Sequence, residues 1–199
     1  MANDKSIYSG ADALDWDEAA RVTEELIVAG RIREAMLLAC GCYLGLRISD
    51  ILILRWSDII DNDTLCLDEK KTGKMRRMRI NPTLSATASK CFALSEEKED
   101  AYIFNSQMHG GRRPMTRQRA AQLLKRIAAE FGIKSAGKFS THSLRKTFGR
   151  RVWLQACERG KGDVALQLLC DVFGHSSISI TKRYLGIRQE EILSVYDAL

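Results

Sequence analysis

The sequence carries no C-x-x-C pair, no glycine-rich nucleotide loop and no cluster of residues at metal-ligand spacing. Its motifs therefore do not read as a zinc ribbon, a dithiol redox centre or a phosphate-cradling loop. The six cysteines, Cys40, Cys42, Cys66, Cys91, Cys157 and Cys170, mostly sit in apolar surroundings, as buried free thiols do. No signal peptide is evident, and the longest apolar run, Ala35 to Leu46, ends at Arg47 and is too short to span a bilayer. The expected compartment is cytoplasmic and reducing. No internal repeat or low-complexity segment interrupts the chain.

What is present is enough for a substantial core. The chain has 199 residues, 45% of them hydrophobic, and a formal charge of +6. That size falls within the range of one domain that needs no disulfide staples. The positive balance favours an acidic partner, with nucleic acid ahead of an anionic membrane surface.

Periodicity places the elements. Residues 1–13 are expected to form a flexible N-terminal segment. Asp15-Trp16-Asp17-Glu18 reads as a helix start, with Asp15 as cap and Glu18 three residues on. Ala19, Val22, Leu26 and Ile27 follow at helical spacing until Gly30. A second helix is predicted from Arg31 to Leu44, with Gly45 at the left-handed position that ends it. Gly45-Leu46-Arg47-Ile48-Ser49-Asp50 comes next, and a short helix over Ser49 to Leu54 would put Arg47 and Asp50 on one side. For Arg47 two readings stand: a charged group of a site, or a cap on the preceding helix. Trp56, Ile59 and Ile60 read as core.

Thr64–Leu67 and Met75–Ile80 alternate as strands joined by Lys70-Lys71-Thr72-Gly73-Lys74, a hairpin tip with glycine where positive φ is needed. Lysines and arginines crowd it, and it reads equally as a solvated hairpin or as a loop that dips into a nucleic-acid groove. A helix is expected from Pro82 to Leu94, and Tyr102-Ile103-Phe104 as a strand or extended piece. His109, in a basic loop, reads as an exposed bystander. Thr116 caps a helix running to Phe131, whose first turn carries Arg117, Gln118 and Arg119, side chains of the kind that read base edges in a major groove. A polar first turn on an amphipathic helix explains them equally well.

The stretch from Ser140 to Gly186 holds the chemistry. It reads Ser140-Thr141-His142-Ser143-Leu144-Arg145, then Phe173-Gly174-His175, then Thr181-Lys182-Arg183-Tyr184-Leu185. Ser140 or Thr141 caps a helix on whose first turn His142 and Arg145 share a face, where backbone amides and the helix dipole favour a phosphate. Leu144, Phe148, Val152 and Trp153 supply its buried stripe. A helix over Val164 to Phe173 stops at Gly174, Ser176 or Ser177 caps the one carrying Tyr184, and a last amphipathic helix closes the chain over 188–199. Arginine offers phosphate a planar fork of donors, histidine moves protons near neutral pH, and a tyrosine hydroxyl is a nucleophile. Together they point to phosphoryl transfer through a covalent phosphotyrosine, with charge supplied by side chains.

In this order and spacing, Gly-Leu-Arg-Ile-Ser-Asp, a lysine hairpin, His-Ser-Leu-Arg, Phe-Gly-His and Arg-Tyr-Leu resemble the catalytic domain of the tyrosine recombinase (phage integrase) family. The resemblance covers residues 14–199. It implies a mainly helical α+β fold with a small antiparallel sheet at one side. It also implies catalytic roles for Arg47, Lys71, His142, Arg145, His175 and Tyr184, with Lys70 and Lys74 as rivals to Lys71. DNA contacts are expected from Lys74, Arg76, Arg117, Gln118, Arg119 and Lys182. The implied partners are double-stranded DNA, three further copies of the chain in a tetramer on DNA, and accessory DNA-bending proteins, with a monomer when free. No membrane, metal or other cofactor is implied. Family members usually carry a further N-terminal DNA-binding domain, and here only about fourteen residues precede the first helix. The chain thus resembles either the short recombinases that invert fimbrial promoter segments or an excised catalytic half.

The reaction implied is attack by the Tyr184 hydroxyl on a phosphodiester, giving a 3′-phosphotyrosyl enzyme and a free 5′-hydroxyl that a partner strand replaces. Integration, excision and inversion all use it. Ionising a free tyrosine at pH 7 costs roughly 4 kcal/mol, and each preorganised donor offsets on the order of 3 kcal/mol. Two rival readings are relaxation of DNA by a type IB topoisomerase-like enzyme and a non-catalytic DNA-binding regulator of the same fold.

Overall fold

The computed structural model describes residues 11–68, 73, 75–106, 112–133, 139–187 and 196. Lys70, Lys71, Lys74, His109 and all of the expected last helix except Tyr196 lie outside them, as do residues 1–10.

Asp15 caps α1 (Trp16–Val28), its carboxylate accepting from the amides of Asp17 and Glu18. The helix buries Ala19, Val22, Leu26 and Ile27 against α2 (Ile32–Leu44). Nine of the thirteen residues of α2 are buried, so it forms the central post of the fold. Its end is forced by Gly45 at φ 60°, where a Cβ would lie 2.3 Å from the Phe148 ring. Two carboxylates hold Arg31 at the start of α2: Glu34 beside it and Glu130 from α5 (Arg117–Glu130), at 2.5 and 2.6 Å.

The short helix after Gly45, α3 (Ile48–Ile51), starts one residue before the expected Ser49–Leu54 and ends three residues sooner. A 3-10 turn at Trp56–Asp58 then buries Trp56. The hairpin is formed by β1 (Thr64–Asp68) and β2 (Met75–Arg79), antiparallel, with Thr64 opposite Arg79 and Asp68 opposite Met75. Among the described residues this is the whole sheet. The expected strand at Tyr102–Phe104 makes only isolated bridges, Arg55 with Tyr102 and Asn105 with Pro114. Arg55 also stacks its guanidinium 4.2 Å over the Tyr102 ring.

Asn81 caps α4 (Pro82–Leu94) and Thr116 caps α5. Ser140 caps α6 (Thr141–Cys157) in a reciprocal box with Ser143. α7 (Gly162–Phe173) begins two residues before the predicted start. α8 (Ile178–Leu185) is capped by Ser177 and stopped by Gly186 at φ 79°.

One core gathers α1 to α5 and the start of α6. A second, smaller one forms from Leu166, Leu169, Phe173, Leu185 and Ile187, with Phe148, Val152, Trp153 and Tyr184 packed against it. Of the predicted α6 stripe only Leu144 is fully buried; Phe148, Val152 and Trp153 are half-buried because they face this smaller cluster. The helix belongs to both cores, and Gly149 allows the tight fit: a Cβ there would come within 2.6 Å of Leu185 and 2.8 Å of Phe173. Four cysteines are buried, and Cys66 and Cys157 are exposed. Among the described residues no single helix is long and apolar enough to cross a membrane.

Candidate active site

The site is built where three helix ends meet. Gly45 ends α2, Gly174 ends α7 at φ 63°, and the first turn of α6 faces both. Helix C-termini present unpaired carbonyls, which attract cations. Arg145, only 6% exposed, satisfies two of them: it donates to Gly45 O at 2.8 Å and to Phe173 O at 3.0 Å. Its guanidinium also lies 4.5 Å over the Phe173 ring. The half-buried Arg47 reaches the same carbonyl, Phe173 O, at 3.5 Å. Thus the arginine bonded to the end of α2 is Arg145, and Arg47 points across to α7.

After Gly174 the chain turns sharply: α7 and α8 meet at 92°. The turn brings His175 and then Tyr184 back over Phe173. The Tyr184 ring meets Phe173 edge-on at 5.4 Å and His175 at 5.2 Å between centroids. His175 Nδ1 lies 3.0 Å from Oγ1 of the buried Thr181, which fixes the imidazole on the inner side of α8. The Tyr184 hydroxyl donates to His142 O at 3.5 Å, and the charge of the nearby Arg145 favours its ionised form. Arg150, one turn further along α6, holds the end of α8 by donating to Leu185 O at 3.2 Å.

The electrostatics follow from this crowding. Burial pushes the Tyr184 phenol up to about 12, against the pull of Arg145 and Arg47 in the other direction. Both histidines are pushed below their ordinary range: His142 by burial, then Arg145 and Lys146, and His175 by burial, then Arg145 and Arg47. At neutral pH both imidazoles are therefore uncharged. Cations surround a phenol that resists ionising in its present surroundings. Such a site holds an anion and stabilises charge that develops on the phenolic oxygen.

Five of the six residues expected to carry the chemistry are thus brought together in one chain: Arg47, His142, Arg145, His175 and Tyr184. The sixth, Lys71, lies outside the described residues, as does Lys74. Lys182 is half-buried in the last turn of α8, and Arg76 half-buried in β2. Arg117, Gln118 and Arg119 are exposed on the first turn of α5. Sequence reasoning missed the parts played by Arg150, bonded to Leu185 O, by Thr181, bonded to His175, and by Lys146, whose Nζ lies 5.4 Å from the Tyr184 ring centroid. Only the repeat of basic residues along Arg145, Lys146, Arg150 and Arg151 hinted at them. Two cavities, of about 210 and 280 Å³, open around Trp16, Cys42, Tyr43 and Thr83. None of the five site residues lines either one.

The described residues form a helical bundle with a small hairpin that presents a tyrosine beside two arginines and two histidines, a set suited to phosphoryl transfer. The sequence profile of the phage integrase family matches residues 13–191, and the chain belongs to that family. It is 35% identical over 165 residues to YoeC of Bacillus subtilis (strain 168), named "Probable integrase/recombinase", covering 82% of this chain and 83% of that one. It is 28% identical over 187 residues to the tyrosine recombinase XerC of Xanthomonas axonopodis pv. citri (strain 306), covering 93% of this chain and 57% of XerC. The chain thus spans most of YoeC but little more than half of XerC. Among solved structures, the XerH site-specific recombinase bound to palindromic difH substrate superposes with a TM-score of 0.64 at 21% identity, over 94% of this chain and 54% of that one.

Proposed function

We propose that the chain is a site-specific DNA recombinase whose nucleophile is Tyr184. The observation that carries this is the convergence within one molecule of the Tyr184 hydroxyl, His142 and His175 with Arg145 and Arg47, whose charges both favour the ionised phenol. Residues 14–199 form the catalytic domain and 1–13 a preceding segment. The site of action is the cytoplasm, the substrate is duplex DNA, and a tetramer on DNA does the work, because each exchange needs partnered strands.

The Tyr184 oxygen attacks a backbone phosphorus, the P–O5′ bond breaks, and the 5′-oxygen leaves with a proton. With the phenol at about 12, ionising it outright at pH 7 costs about 7 kcal/mol. The proton is therefore lost as the bond to phosphorus forms, not before. Arg145 and Arg47 hold the non-bridging oxygens and take up the charge that builds in the pentavalent state, each contributing on the order of 3 kcal/mol. They are pre-set by carbonyls of the fold, so little reorganisation is needed. Neutral His142 stands at the α6 N-terminus, where it accepts the phenolic proton or donates to phosphate. The one Thr181 hydroxyl proton can go to His175 Nδ1 or to Ser177 O, and neutral His175 donates from Nε2 only in the first case. Lys71 is proposed as the acid that protonates the 5′-oxygen. Reversal with a partner's 5′-hydroxyl reseals the strand, and one phosphodiester replaces another. Arg117, Gln118 and Arg119, with Lys74, Arg76 and Lys182, are proposed to contact the duplex.

The test uses a pool of nicked duplexes of random sequence in EDTA buffer. Covalent protein–DNA adducts are captured under denaturing conditions and the attached DNA is sequenced. Wild type yields adducts enriched for one sequence, and Tyr184→Phe yields none. Absence of any adduct from folded wild type, or adducts from Tyr184→Phe, overturns the proposal. Adducts without sequence enrichment would instead point to a relaxing enzyme.

A further inference from the structure

Lys146 follows Arg145 on α6 and lies one turn beyond His142. Its Nζ stands 5.4 Å from the centroid of the Tyr184 ring, within reach of a cation–π contact. The same ring meets the edges of His175 and Phe173, steeply inclined at 71° and 72°. The phenol is therefore braced by a cation over its ring and by two aromatic groups packed against it. Lys146 is itself half-buried.

We propose that Lys146 is a positioning residue for the nucleophile: its ammonium fixes the orientation of the Tyr184 ring and favours the phenol as it acquires negative charge. The inference rests on Tyr184 being the nucleophile. A cation over a neutral phenol feels only the ring's quadrupole. Over a ring whose oxygen is losing its proton as it attacks, it feels a developing partial negative charge. The contact therefore strengthens as attack proceeds, and an interaction stronger in the transition state than before it accelerates the step. Arg145 and Arg47, held by main-chain carbonyls, act on the phenolic oxygen, and Lys146 adds a cation at the face of the ring.

The surroundings of Lys146 fit this part. Burial and the nearby Arg150 push its ammonium below the ordinary lysine range, and Asp12, from the segment that precedes α1, works the other way. A partly dehydrated ammonium binds an aromatic face more strongly than a fully hydrated one. His142 and Arg145 on its own helix are the other titratable groups beside it. The N-terminal segment is fastened close by: Leu14 N donates to Thr147 Oγ1 at 2.8 Å.

The test replaces Tyr184 with 3,5-difluorotyrosine in the full chain, which brings the phenol's titration into an accessible pH range and gives a single ¹⁹F signal. Lys146→Gln raises the titration midpoint by about 0.5–1 pH unit and broadens the line, and Lys146→Arg restores both. Lys146→Met keeps the aliphatic stem and serves if the glutamine variant does not fold. The reading needs no DNA, so its outcome is independent of the recombinase assignment. On the duplex selected above, the same variants slow adduct formation about three- to tenfold without weakening DNA binding. An unchanged midpoint in folded Lys146→Gln or Lys146→Met overturns the proposal. So does a loss of DNA binding in place of a loss of rate.

Discussion

Arg145 and Arg47 donate to the same acceptor: the carbonyl oxygen of Phe173 takes a hydrogen bond from Arg145 at 3.0 Å and a longer one from Arg47 at 3.5 Å. Two guanidinium groups repel each other, and a shared carbonyl at a helix C-terminus offsets part of that repulsion. Arg145 is additionally tied to Gly45, so it clamps the ends of α2 and α7 together.

The two arginines should therefore separate stability from chemistry. Lysine lacks the planar fork needed to serve both carbonyls, so Arg145→Lys is expected to cost about 2–3 kcal/mol in urea unfolding. Arg47→Lys, at a half-exposed position, should cost about 1 kcal/mol or less. Both are expected to slow adduct formation by about 100-fold or more. Equal stability losses for the two would contradict the clamp.

The pH profile of stability should show two windows. The histidines are held below their unfolded value near 6.5, so above that pH their contribution is fully present. As pH falls below about 6.5 the unfolded chain binds protons first and stability is lost. Tyr184 sits at about 12 when folded, against about 10 unfolded, so stability is lost again as pH rises through that interval. His175→Gln should flatten the acid limb and Tyr184→Phe the alkaline one, measured by thermal unfolding across pH.

Gly149 sets how closely α6 lies on α8. A methyl group there meets Leu185 and Phe173 inside contact distance. Gly149→Ala is expected to cost about 1–3 kcal/mol and to slow adduct formation, because the helix it displaces carries Tyr184. A variant that loses stability but keeps the wild-type rate would show that the placement of α8 is set elsewhere.

The first turn of α5 offers a separate reading. Arg117→Ala and Arg119→Ala should each weaken DNA binding and reduce the slope of log affinity against log salt by about one, if each side chain neutralises one phosphate. A change in sequence preference without a change in slope would assign that side chain to a base edge.

What the sequence revealed was local. Asp15 and Thr116 were legible as caps, and those of α6 and α8 to within one residue, Ser140 or Thr141 and Ser176 or Ser177, because a cap is decided within three or four residues. Gly45 and Gly174 were legible for the same reason. The partners of Arg145 were not: Gly45 lies 100 residues away, and no periodicity announces which carbonyl a guanidinium will meet. Arg47 could be read two ways because both depend on where α7 ends in space. Lys146 was overlooked because its meaning comes from a ring 38 positions later, turned back by the bend at Gly174. The one-turn α3 was overextended because burial of Ile51, Leu52 and Leu54 continues past the helix in irregular backbone.

The 92° elbow at Gly174 returns the phenol to arginines of its own polypeptide. Among the described residues, Arg47, His142, Arg145, His175 and Tyr184 then meet within a single chain. Mixing subunits that lack the phenol with subunits that lack Arg145 should leave both halves inert, whereas an enzyme that trades nucleophiles across a boundary would regain turnover from the same mixture.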